Sequence, residues 1–135
     1  MTLENLFSIK QLNREAPNRR EFEGLLQAAK NRLKDSEHRE LSFSSRFDLA
    51  YNAAHGFALA ALRASGYRSD KRYLVFQCLT HTVQLGKADV RIFSICHERR
   101  NLAEYEGHMD EDEALLVELI RCGKELMAIV ENIEI

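Results

Sequence analysis

The stretch Asn18-Arg-Arg-Glu-Phe-Glu-Gly-Leu-Leu-Gln-Ala-Ala-Lys-Asn-Arg-Leu-Lys-Asp-Ser36 carries the period from which the fold follows. Its apolar positions, Phe22, Leu25, Leu26, Ala29 and Leu33, fall on one face of a 3.6-residue helix, with charges elsewhere. Asn18 and Glu21 have the spacing of a capping box, directly after Pro17, the only proline in the chain. Outward from this helix the same period recurs. Residues 2–10 suit one short helical turn. A second helix is predicted from about Ser44 to Ser65, closed by Gly66, and a third from about Lys71 to Gln84, stopping at Gly86. A fourth covers about Lys87 to Ala103. Asp110-Glu-Asp-Glu113 then offers an N-cap and first-turn acids to a last helix, whose apolar face runs from Leu116 to Ile133. Alternating β patterns, hairpin dipeptides and repeats are missing. With short connections, the expectation is an all-α, up-and-down antiparallel bundle of four to five helices, residues 1–135 forming one domain.

Composition bounds the function classes. The chain has 135 residues, 45% hydrophobic and 30% charged, with six glycines and no tryptophan. Roughly two-thirds of the unfolded surface of such a chain is buried on folding, enough for a core without metals or disulfides. Cys78, Cys96 and Cys122 are widely spaced within apolar periodic segments, which suits small core residues. No run of about 18 apolar residues suggests a membrane span. Met1-Thr-Leu-Glu-Asn5 has neither the basic start nor the apolar stretch of a signal peptide, so a cytoplasmic location is expected. The net charge of −2 excludes a generic nucleic-acid coat. It conceals a split: residues 104–135 carry ten acids and two bases, which leaves residues 1–103 at +6.

Polar residues interrupt the periodic pattern in two places. In the alanine-rich second helix, Asp48, Asn52 and His55 fall at i, i+4 and i+7, with Arg46 and Tyr51 beside them. Such a stripe either lines a cleft or is a solvated edge or internally satisfied network. In the fourth helix the apolar arc of Ile92, Phe93, Ile95, Cys96 and Ala103 also contains Arg99 and Arg100. A guanidinium on a core-facing stripe needs an anion, since burying it unpaired costs several kcal/mol. Arg100 therefore either forks around a phosphate or marks the last turn, where cations suit the carbonyl end.

The run Arg99-Arg-Asn-Leu-Ala-Glu-Tyr105, at the end of the penultimate long helix, resembles the HEPN superfamily. That signature is an arginine, usually followed by Asn, Asp or His, and then a histidine about five residues on. Arg100-Asn101 matches its first half. Arg46-Phe-Asp-Leu-Ala-Tyr-Asn-Ala-Ala54, with Ala64-Ser-Gly-Tyr-Arg68, is similar to the first long hairpin of small stand-alone HEPN proteins. The resemblance covers about residues 18–130. It implies a HEPN-like bundle and a homodimer in which two arginine–histidine motifs share a cleft. It also implies metal-independent RNA cleavage without a cofactor, often as a toxin or antiviral effector. Some members pair with a nucleotidyltransferase antitoxin.

One position departs from the signature. Tyr105 stands where the histidine is expected, while His97 precedes Arg100 and His108 lies eight residues beyond it. Histidine can act as base or acid near neutrality, whereas tyrosine is a poor base and can only donate a hydrogen bond or proton to phosphate. The expected site therefore has Arg100 and Tyr105 as catalytic residues. Arg99, Arg100, Asn101, Asp48, Asn52 and His55 are the expected phosphate- or RNA-binding residues. Ribonuclease activity should be weak or lost unless His55, His97 or His108 supplies the base. Gly-rich phosphate loops and metal-ligand clusters are not evident, and His97-Glu98 and His108-x-Asp110 cannot assemble three convergent ligands. The competing reading is a non-catalytic interaction or adaptor bundle, in which Arg100 pairs with Asp48 or Glu104.

Overall fold

A computed structural model describes residues 1–135 as an all-α protein with one minor pair of strands. The order is α1 (Leu3–Ser8), β1 (Asn13–Arg14), α2 (Arg19–Ser36), α3 (Phe43–Ala64), β2 (Tyr67–Arg68), α4 (Arg72–Gln77), α5 (Leu79–Thr82), α6 (Lys87–Glu106) and α7 (Glu113–Val130). No helix is long and apolar enough to cross a membrane.

The four long helices start where short polar side chains or glycine stand. Asn18, Ser42 and Asp112 accept hydrogen bonds from the amides of Glu21 (2.9 Å), Ser45 (3.2 Å) and Leu115 (3.0 Å). Gly86 caps α6 without a side chain. The capping box at Asn18 is only half formed, because the Glu21 carboxylate turns instead to Arg63 and Arg68. Gly66 and Gly107 sit just beyond α3 and α6 at φ 91° and 83°, where the absence of a Cβ removes the left-handed penalty.

Helix α3 is the centre of the core, with α2 and α7 as its principal neighbours and α4, α5 and α6 against its other side. Its alanines make that possible: Ala53, Ala54, Ala58, Ala60 and Ala61 are buried together with Phe47, Tyr51 and Phe57. At Gly56 a Cβ would meet the Ala29 Cβ at 3.0 Å, so the α2–α3 approach depends on small residues. Cross-helix pairs run in opposite orders, Lys30–Glu131 before Glu37–Lys124 between α2 and α7, and Asp48–Arg100 before Tyr51–His97 between α3 and α6. Each of these pairs of helices is therefore antiparallel. Cys78, Cys96 and Cys122 are buried free thiols; burial pushes Cys78 up to about 11 and Cys96 and Cys122 up to about 12.

Two expectations are corrected. The segment read as one helix over residues 71–84 is bent into α4 and α5 at Cys78. The amides of Cys78 and Thr82 bond to the carbonyls of Leu74 and Cys78, but the His81 amide reaches back only three residues, to the Cys78 carbonyl, and the axis bends there. Past Thr82, Gln84 turns left-handed at φ 52° and ends the helical run two residues before Gly86. Secondly, there is β pairing: Asn13 faces Arg68 and Arg14 faces Tyr67 in an antiparallel strap that ties the N-terminal segment to the end of α3. Two residues per strand are too few to show alternation in sequence.

Candidate functional site

Tyr51 is the floor of the site. It is fully buried on α3, and its ring contacts Phe76 of α4 and stacks near His97 of α6. Two guanidinium groups lie against the same ring, Arg100 of α6 at 5.0 Å and Arg72 of α4 at 5.5 Å from its centroid. Three helices thus bring two arginines to one aromatic side chain. The Tyr51 hydroxyl lies 2.8 Å from His97 Nδ1, and His97 Nε2 lies 3.1 Å from Asn101 Nδ2. Asn52 holds Arg72 in place: its Oδ1 accepts from Arg72 at 2.8 Å, while its Nδ2 donates to the Asp48 carbonyl at 2.8 Å.

The two arginines are satisfied differently. Arg100, with a side chain 22% exposed, pairs with Asp48 at 3.3 Å and with Glu104 at 3.1 Å. These carboxylates are 57% and 63% exposed and can be released to water at little cost. Arg72 is partly buried, and its only side-chain hydrogen-bond partner is the neutral Asn52, with no carboxylate within ion-pair distance. A partly buried cation without a carboxylate in ion-pair distance is the least satisfied charge of this cluster.

Its effect is felt by the neighbours. Burial, then Arg72, His97 and Arg100, push His55 down to about 4, and its Nε2 is buried without a hydrogen-bond partner. Burial, Arg100 and Arg72 likewise depress His97. Tyr51 is held above its ordinary value by burial, against the pull of both arginines. At neutral pH both imidazoles are therefore uncharged and Tyr51 is protonated. The cluster presents two fixed positive charges, one neutral histidine near the surface and hydrogen-bonding groups, an arrangement suited to an anion.

Grooves open on three sides of it, one of them (≈ 470 Å³) lined by Arg72 and His55 together with Asn13, Arg68, Ser69 and Asp70. A second, of ≈ 670 Å³, runs beside Arg100 between the start of α3 and the end of α6, past Ser44, Ser45 and His108. Another, of ≈ 430 Å³, lies between α4 and α6 and is walled by Tyr73.

Of the residues singled out in the sequence, Asp48, Asn52, His55, Arg100 and Asn101 come together here. Arg99 does not: it points away and pairs with Asp112 at 3.4 Å across the turn into α7. Its place in the apolar arc fails because the last turns of α6 outrun the core, whose final α6 member is Cys96. Tyr105 is 91% exposed and touches no member of the cluster within the chain. Arg46 reaches the Ser36 carbonyl and Glu113 instead. His108 sits on the rim of the larger groove near Asp110, away from Tyr51. Sequence reasoning missed Arg72 altogether. The polar stripe on α3 announced a wall, but nothing in the run Asp70-Lys-Arg-Tyr73 says which residue opposes it.

Compared with family models, curated proteins and solved structures, the chain gives no match.

Proposed function

We propose that the chain binds the phosphate of RNA or of a nucleotide at the Arg72–Arg100–His97 cluster, as a HEPN-like bundle acting as a homodimer. Arg72 carries this reading: a partly buried guanidinium without a counter-ion, beside a second guanidinium and two neutral imidazoles. An anion between the arginines would neutralise that charge and displace only the exposed carboxylates of Asp48 and Glu104. The exposed Leu102 and Tyr105 on the outer side of α6 offer apolar surface for a dimer contact near the site. A nucleotidyltransferase antitoxin, which the resemblance also implies, would be a further protein partner.

Chemistry at this site would be slow. In cleavage by a 2′-hydroxyl, His97 would take the hydroxyl proton as the 2′-oxygen bonds to phosphorus and the bond to the 5′-oxygen breaks. Arg72 and Arg100 would meet the charge that develops on the phosphoryl oxygens. Both ring nitrogens of His97 are engaged, however, so Asn101 must first swing away. The departing 5′-oxygen also needs a proton. Tyr51 is buried and bonded to His97, His55 is neutral and buried at Nε2, and Tyr105 of the same chain is remote. Binding is therefore favoured over turnover.

A second reading keeps one observation of its own. Arg100 already has two acids, as expected of a protein-interaction bundle whose arginine serves the fold. The two readings part on one set of variants. Titration with uridine monophosphate should weaken by about tenfold or more in Arg72→Ala and in Arg100→Ala, the equivalent of one charge-assisted hydrogen bond, with little change in the thermal melt. Undiminished binding in both variants ends the phosphate reading, and a loss of about 3 kcal/mol of stability in Arg100→Ala would install the second. Incubation of labelled single-stranded RNA in EDTA should show little or no cleavage.

A further inference from the structure

The ≈ 470 Å³ groove that Arg72 shares with His55 is lined by polar groups the fold leaves unused. Asn52 takes one donor of Arg72, and no carboxylate comes within ion-pair distance of it. Asp70, two residues earlier and exposed, makes no salt bridge and no side-chain hydrogen bond, so the one acid of the groove is as free as this cation. The Nε2 of His55 is buried without a partner. Ser69, 7% exposed, accepts from the Lys71 amide at 3.0 Å and keeps its own hydroxyl proton to give. Asn13 is brought to the groove by its pairing with Arg68 in the strap. Arg68 itself is already neutralised by Glu15 and Glu21.

With the neutralised pair set aside, the lining offers one positive charge, one negative charge and uncharged donors and acceptors. A simple anion would satisfy Arg72 but face Asp70, and a simple cation would do the reverse. A ligand carrying both charges satisfies both. Asp70 and Arg72 lie on the short segment that leads from β2 into α4, beyond ion-pair distance of each other, so a small ligand can stand between them. His55 follows Asn52, the residue that holds Arg72, by three positions of α3, a rise of about 4.5 Å. A neutral imidazole presents one donor and one acceptor, and a side-chain amide or hydroxyl can answer either. Leu59 is the single apolar residue of the lining, which leaves little to hold a hydrophobic side chain. The volume is that of a small-molecule site.

We infer that this groove binds a free α-amino acid with a neutral polar side chain, its carboxylate on Arg72, its ammonium on Asp70 and its side chain on His55. The inference does not rest on the phosphate reading, since Asp70, Ser69 and Asn13 take no part in that cluster. The two ligands do meet at Arg72. Carboxylate and phosphate compete for one guanidinium, so each ligand should weaken the other by the same factor. The amino acid thereby acts as an effector of the phosphate site.

Isothermal titration of the intact chain with L-serine, L-asparagine and L-glutamine is the test, and at least one of them should bind saturably. The N-acetyl derivative of that amino acid lacks the ammonium, and its α-amide lacks the carboxylate. Each should bind at least about tenfold more weakly, the equivalent of one charge-assisted hydrogen bond. L-leucine, which leaves His55 without a partner, should lose at least about tenfold as well. Asp70→Asn should lose about tenfold for the amino acid while binding uridine monophosphate no less tightly than the parent chain. If none of the three amino acids binds, or if binding is indifferent to N-acetylation or to Asp70→Asn, the inference is overturned, and the phosphate reading stands or falls on uridine monophosphate alone. Amino-acid binding with these losses and without uridine monophosphate binding keeps the groove and removes the phosphate site.

Discussion

Two arginines packed against α3 have opposite surroundings, and the contrast separates structure from site. Arg63, near the end of α3, is 1% exposed and saturated: Glu21 accepts from its Nε at 2.6 Å, Glu15 lies 3.2 Å from its Nη2, and the carbonyls of Glu15, Ala16 and Tyr67 take its remaining protons. Arg72, at the other cluster, has one neutral partner and an aromatic face. A guanidinium has five donors. Where folding fills them all, the residue is holding elements together, here β1 and β2 against the bundle. Where folding leaves donors free in a partly buried place, water or a partner outside the chain takes them.

The largest effect should come from breaking the saturated side. Arg63→Met leaves three carbonyls without their donor and Glu21 with Arg68 alone, and should cost about 3–5 kcal/mol in urea unfolding, whereas Arg72→Met should change stability by less than about 1 kcal/mol. Equal losses in the two variants would erase the distinction. Mild acid should sharpen it next. His55 is pushed down to about 4 in the fold from 6.5 in the open chain, so its contribution is complete above pH 6.5 and is lost as pH falls through about 4. That loss is about 3 kcal/mol at 1.36 kcal/mol for each pH unit between 6.5 and about 4, and it should shrink in His55→Gln, read by thermal melts across the range. Glu21 contributes on the other side: although burial opposes it, Arg63 and Arg68 hold its carboxyl below the ordinary range. Its share persists above the ordinary Glu pKa of 4.5 and disappears only at lower pH. A bound phosphate should raise the His97 pKa, since it cancels the charges that depress it, and the shift is readable by NMR titration of that ring. The smallest effect belongs to Tyr105→Ala, which should leave both stability and mononucleotide affinity within about twofold, because the ring touches nothing in the cluster. Any loss confined to a sedimentation measurement of self-association would assign Tyr105 to the contact of the proposed dimer.

Much of the framework was legible because helical period and capping are local. The stripe of Phe22, Ala29 and Leu33 is buried as its spacing requires, Asn18 and Asp112 open helices with their side chains, and Gly66 closes one by having none. The stripe of Asp48, Asn52 and His55 announced half of a site for the same reason. The bend at Cys78 and the strap between β1 and β2 were not legible, since each turns on one or two residues whose conformation is set by what lies against them. Arg99 and Arg100 show the limit most directly. Adjacent on one helix and both inside its apolar arc, they part company because one meets Asp112 in the turn and the other meets Tyr51.

By itself the sequence determined the helices, the faces they bury and the acidic and basic halves of the chain, because each is written in the spacing of near neighbours. Only the tertiary structure decided that Arg72 joins Arg100 over Tyr51, that His97 is the histidine beside them, and that Tyr105 stands apart. The partners in those meetings are distant in the chain, 20 residues for Arg72–Asn52 and 52 for Arg100–Asp48, and depend on how bent helices pack. The split in charge is likewise given by order alone, but Arg72 lacks a salt bridge only because the fold half-buries it where no carboxylate comes within ion-pair distance.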